Sequence, residues 1–155
     1  MEPQFLVNLG IVLVLIIVAG LGLRALAPRI FEHFGGAAHG WRRLSGIYGT
    51  TAPPPADILR AQSLMIDQVL YRRCMSVCIG PAGLYIEKGF PLSLLGRSAL
   101  LIGWSEVKEL AEARLFWQRA IRLAIGEPRV GSITLPMPLF AQCRPWLAEA
   151  GVACP

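Results

Sequence analysis

Apolar and polar positions follow three rhythms along the chain, and each predicts a different element. The first is an unbroken apolar run. Residues 5–23 carry no charge and one strongly polar side chain, Asn8, and the run resumes after Arg24 through Ala25, Leu26 and Ala27. About 20 helical residues cover a hydrocarbon core of roughly 30 Å, so this stretch predicts a single transmembrane α-helix with Arg24 reaching for the interface. Inside lipid, Val and Ile are no obstacle, because the helix is the way to satisfy every backbone amide within the segment. A cleaved signal peptide is the competing reading, on the small-x-small spacing of Ala25-Leu26-Ala27. Against it stand an n-region, Met1-Glu2-Pro3-Gln4, without Lys or Arg, a run longer than the usual h-region, and Pro28 just after the would-be cut. Arg24, Arg29, Arg42 and Arg43 follow the run and only Glu2 precedes it, which predicts a cytoplasmic domain with the N-terminus outside.

The second rhythm has period two and marks strands. Residues 69–79 place Met75, Val77 and Ile79 against Cys74, Ser76 and Cys78. Gly80-Pro81-Ala82-Gly83 reads as a turn into a second alternating run, 84–88, so the two predict a hairpin. Further strands are expected over 99–104, over 119–125 with Ile121, Leu123 and Ile125 on one face, and over 129–135. The third rhythm is helical: Leu139, Phe140, Cys143, Trp146, Leu147 and Ala150 recur at i, i+3, i+4 and i+7 before Gly151, with Pro145 inside the pattern as a start or a kink. Residues 105–118 are contested, since Val107, Leu110 and Ala111 have helical spacing behind Ser105 as a possible N-cap.

Between the apolar run and the strands, 28–34 extends the helix to Gly35-Gly36. Trp41-Arg42-Arg43-Leu44 forms a short amphipathic turn, with Trp41 either at headgroup level or packed on the domain. Pro53-Pro54-Pro55 makes 50–56 an extended connector. The expected organisation is a transmembrane helix and its extension over 1–34, a juxtamembrane linker over 35–56, and one folded domain over 57–155.

Gly83-Leu84-Tyr85-Ile86 and Leu100-Leu101-Ile102-Gly103-Trp104-Ser105-Glu106-Val107 resemble paired segments of bacterial membrane-anchored pleckstrin-homology-like and GRAM-like proteins. There a "GLYL" strand is followed by a loop with proline and an "IPWSEI" strand end, and Gly103 stands where that proline would be. The stretch 41–48 is similar to the "GW..LA..Y" segment after the membrane helix of such proteins. The resemblance covers roughly residues 40–150. It implies an α+β domain built as a small antiparallel β-barrel or sandwich with a C-terminal capping helix, makes 107–115 a strand in place of a helix, and puts the chain in a bacterial inner membrane. Eukaryotic lipid-binding members of that fold use a basic loop between their first strands; the corresponding place, Asp67-Gln68, is acidic or neutral.

Composition sharpens this picture. Hydrophobic residues are 54% and charged residues 16% of 155, and the mean hydropathy of +0.52 is high for a soluble protein. The net charge is +5, but thirteen of the fifteen basic residues are Arg scattered along the chain, which suits an anionic membrane surface better than nucleic acid.

Candidate chemistry is sparse. His33 and His39 have no convincing partner, Glu32 pointing elsewhere on a helix, and no GxxxxGK[ST], GxSxG or HExxH occurs. Cys74 and Cys78, four apart on a strand, are too far apart for a disulfide, and no Cys-x2-Cys pattern exists, so Cys74, Cys78, Cys143 and Cys154 are expected as free thiols. Glu106, Glu109 and Glu112 read as cross-strand partners of Arg114, Arg119 and Arg122. Arg60, Arg72, Arg73 and Arg97 would make a headgroup-binding surface if they converge. No catalytic, cofactor-binding or metal residue is assigned and no cofactor is expected. The sequence thus leads us to expect a non-enzymatic, membrane-anchored interaction protein. Its expected role is an accessory or scaffolding subunit of a larger membrane assembly, such as a respiratory or photosynthetic one. Membrane lipids and other integral membrane subunits are its expected partners, and a lipid-headgroup-binding domain is the alternative.

Overall fold

The computed structural model describes residues 35–95 and 98–154. The stretch 5–27, expected to cross the membrane, lies outside them. Among the described residues no helix is long and apolar enough to span a bilayer. The reason is simple: α1, Gly35–Tyr48, has 14 residues, about 21 Å at 1.5 Å per residue, and carries Arg42 and Arg43. The second helix, α2 (Met137–Glu149), is shorter still at 13 residues and carries Arg144 and Pro145. The single-pass transmembrane description is corrected to this extent: no helix among the described residues crosses a bilayer. The barrel or sandwich is corrected as well, because the domain is mostly one antiparallel β-sheet with two helices and its strands run in a single open order.

Eight strands build that sheet: β1 Gly49–Thr50, β2 Leu59–Ile66, β3 Val69–Gly80, β4 Gly83–Lys88, β5 Ala99–Ile102, β6 Val107–Leu115, β7 Gln118–Ile125 and β8 Gly131–Pro136. Their order is β1-β5-β4-β3-β2-β8-β7-β6. Two meanders are therefore joined side by side, β2 to β5 and β6 to β8. The join is narrow. β2 and β8 are registered only at Met65 with Thr134 and Ile66 with Ile133, whereas β7 and β8 are registered from Ala120 with Pro136 to Ile125 with Gly131.

The period-two pattern explains why both meanders serve one core. Met75, Val77, Leu84, Ile86, Leu100, Ile102, Leu123, Ile125, Ile133 and Leu135 all lie on the inner face and belong to a single buried cluster. Leu139, Phe140, Cys143 and Leu147 of α2 join the same cluster, with α2 laid against β7, β3 and β8. The helix runs through Pro145, which is exposed. The contested stretch is strand β6, paired along its length with β7 from Val107 with Ile125 to Leu115 with Gln118. Tertiary pairing overrides a weak local helical preference there.

Of the two places expected for Trp41, the structure chooses the domain. Trp41 is 4% exposed, Leu44 is fully buried, and the Trp41 indole N–H donates to Ser98 Oγ at 3.0 Å. Lys88 Nζ sits 4.7 Å from the centre of the Trp41 ring. Burial, and secondarily Arg42, pulls the Lys88 ammonium below its ordinary pKa. The proline-containing connector also has a place to lie: Ile58 packs on Cys78, Tyr85 and Ala99 on the outer side of the sheet, and Tyr85 OH donates to the Ala52 carbonyl at 3.5 Å.

Candidate functional site: an aromatic hairpin tip beside a basic groove

Strands β6 and β7 meet in a two-residue turn, Phe116-Trp117, between the registered pair Leu115 and Gln118. Phe116 takes a left-handed backbone with φ 56°, a conformation that costs a bulky L-residue roughly 1–2 kcal/mol and that turns usually assign to Gly, Asn or Asp. The side chains gain little from the fold in return. Phe116 is 46% exposed and Trp117 96%. The Arg72 guanidinium lies 4.7 Å above the Phe116 ring centre.

Below the tip opens a groove of about 630 Å³, framed by Leu59, Gln62 and Ser63 of β2, Arg72 and Arg73 of β3, and Pro138, Leu139 and Gln142 of α2. The groove exists because β2 and β8 separate. Beyond Met65 and Ile66 no registered pair joins them, and β8 ends at Pro136, which has no N–H to offer a neighbouring strand. The β2–β3 ladder is irregular at the same place, with register shifts between Leu59 and Gln62 and between Gln62 and Leu64. Ala61 (φ 54°) and Arg73 (φ 50°) both take left-handed backbones. Ser63 Oγ accepts the Arg73 backbone N–H at 3.0 Å, and Gln62 Nε2 donates to the Arg60 carbonyl at 2.8 Å. Bulges of this kind redirect side chains, and in this domain they bring Arg72 and Arg73 to the groove wall.

A smaller depression of about 520 Å³ is lined by Arg114, Arg119 and Arg144 with one carboxylate, Glu112. Arg119 and Glu112 approach at 3.4 Å with both side chains well exposed, a pair worth little in water. The two depressions and the tip present five arginines to one carboxylate. Among the described residues their lining includes no His, Cys or Asp, and the Ser63 hydroxyl is engaged by the Arg73 N–H. Exposed rings beside guanidinium groups are equipped to bind a ligand.

The residues weighed from sequence end up dispersed. His33 and Arg97 lie outside the described residues, and so does the side chain of His39. Arg72 and Arg73 do converge, while Arg60 is an exposed neighbour on β2. Glu106 is withdrawn from the surface series by accepting the Tyr48 hydroxyl at 2.8 Å; burial first, and Glu106 next, raises the Tyr48 pKa. All four cysteines are free, Cys154 exposed and Cys143 buried, and burial pushes the Cys143 thiol up to about 12. Among the described residues no group of three or more His, Cys, Asp or Glu side chains is placed to hold a metal ion. Phe116 and Trp117 escaped the sequence reading, although one signal was present: two adjacent large aromatics cannot both face inward on a strand. Comparison with known proteins returns no matching family, no matching curated protein and no matching solved structure.

Proposed function

We propose that this chain is a non-enzymatic interaction protein, with an accessory or scaffolding role, whose domain docks a protein partner through the β6–β7 tip and the groove beneath it. The observation that carries the reading is Trp117, 96% exposed at the end of a hairpin. Burying a tryptophan removes roughly 150–250 Å² from water, several kcal/mol at about 25 cal/mol per Å². None of that is realised within the domain. A partner would realise it, and Trp beside Arg is the side-chain combination that dominates protein–protein hot spots.

The test is parallel purification of the tagged full chain and its Trp117→Ser variant from native cells, with quantification of the proteins that accompany each. The reading expects a defined protein held by the wild type and depleted at least fivefold from the variant, while both melt at the same temperature. Identical sets of accompanying proteins would overturn it.

A further inference from the structure

We propose that the occupant of the groove is an extended, acidic segment of a partner protein, lying alongside residues 59–64 of β2 with an aliphatic side chain against Phe116 and Leu139. This deepens the interaction reading and rests on it. Three independent features select that occupant. Residues 59–64 form a strand edge that β8 leaves unpaired, and an added strand satisfies such an edge with main-chain hydrogen bonds. Within this strand the Gln62 amide donates to the Arg60 carbonyl at 2.8 Å. Charge comes second: Arg72 and Arg73 line the groove, and the described residues of its lining include no carboxylate. An acidic segment meets this field with complementary charge, whereas a basic one is repelled. Third, the site is concave and carries the amides of Gln62, Gln118 and Gln142. A bilayer would touch Trp117 and the guanidiniums but has no backbone amides to pair with the strand edge.

A random dodecapeptide library selected on the immobilised full chain tests this, with counter-selection on Trp117→Ser and on the Arg72→Ser/Arg73→Ser double variant. Binding to phosphatidylglycerol and to phosphatidylcholine vesicles is measured in parallel. The expected winners carry two or more Asp or Glu with Leu, Ile or Val at alternate positions, and bind the double arginine variant at least tenfold more weakly. N-methylation of alternate backbone nitrogens should weaken the best winner at least tenfold as well. Winners that need Trp117 but carry no acidic residues, or that tolerate N-methylation, would overturn the acidic extended occupant and leave the interaction reading standing. Phosphatidylglycerol binding that needs Trp117, with no Trp117-dependent peptide, would replace the protein segment by a membrane surface. Neither peptides nor vesicles depending on Trp117 would overturn both.

Discussion

The Asp67 carboxylate accepts the backbone N–H of Ser132 at 2.7 Å, and the Asp67 N–H donates in turn to the Ser132 carbonyl at 2.8 Å. The β2–β3 turn is thereby fastened to the start of β8, close to the narrow join between the two meanders. Ser132 Oγ lies 3.3 Å from the same carboxylate oxygen, and Gly40 of α1 comes so close that a β-carbon there would sit 2.5 Å from Asp67 Oδ2. The acidic residue standing where a basic lipid-binding loop would be is thus committed to holding the fold.

Removing that carboxylate should be costly. Asp67→Ala leaves the Ser132 N–H without its acceptor and should lower stability by roughly 2 kcal/mol, the usual size for a hydrogen bond to a charged group. Asp67→Asn, which keeps an acceptor oxygen, should lose less. Urea unfolding of both variants beside wild type checks the order, and equal losses would contradict it.

Gly83 opens β4 with φ +134°, and a β-carbon there would run into the backbone carbonyl oxygen of Ile102 on the neighbouring strand. Backbone cannot swing aside as a side-chain end can. Gly83→Ala should therefore cost at least about 2 kcal/mol, seen as a lowered urea midpoint.

Two tryptophans should respond in opposite ways to truncation. Trp104 is 6% exposed and its indole N–H donates to the Gly80 carbonyl at 2.8 Å, so Trp104→Ala should cost about 3–5 kcal/mol. Trp117→Ser should stay within about 0.5 kcal/mol of wild type. Thermal melts measure both, and iodide should quench the fluorescence lost in the Trp117 variant far better than that lost with Trp104.

Alkali should destabilise the domain through Cys143. Its folded pKa, about 12, is raised from 9.0 by burial, so below pH 9 both states are protonated and the contribution is complete. Above pH 9 the unfolded chain ionises first and stability falls, by up to about 1.4 kcal/mol per pH unit. Tyr71 and Cys74, also raised by burial, act in the same direction, whereas the depressed Lys88 acts in the opposite one. Urea midpoints from pH 8 to 11 should decline in wild type and decline less steeply in Cys143→Ala, which starts lower because of the cavity it leaves.

Much of the sheet was legible where period two was unbroken. Met75 and Val77, Leu84 and Ile86, and Ile121, Leu123 and Ile125 announce their inner faces directly. Strand β2 was not legible, because Ala61, Gln62 and Ser63 interrupt the alternation at the bulge itself. In β6, Leu110 and Ala111 mimic a helix, and only the partner strand decides. The tip and groove were the least visible: adjacent aromatics in a sequence look like core, and it is the left-handed turn at Phe116 that leaves Trp117 outside. Arg72 and Arg73 could be named in advance, but their convergence depends on the bulge.

The two-pair join between β2 and β8 has a consequence for how fast the chain folds. Every other registered pairing except that of β1 with β5 joins strands consecutive in sequence, so most of the sheet can form through short loops in rapid local steps. The join of Met65 to Thr134 closes roughly 70 residues of chain, and closure entropy must be met before contacts repay it. Two registered pairs and the Asp67 clasp join the strands there, and the packing of both meanders into one core depends on that closure. Refolding kinetics test whether this join sets the barrier: substitutions at Met65 or Ile133 are expected to slow refolding, where substitutions at the β6–β7 tip leave its rate unchanged.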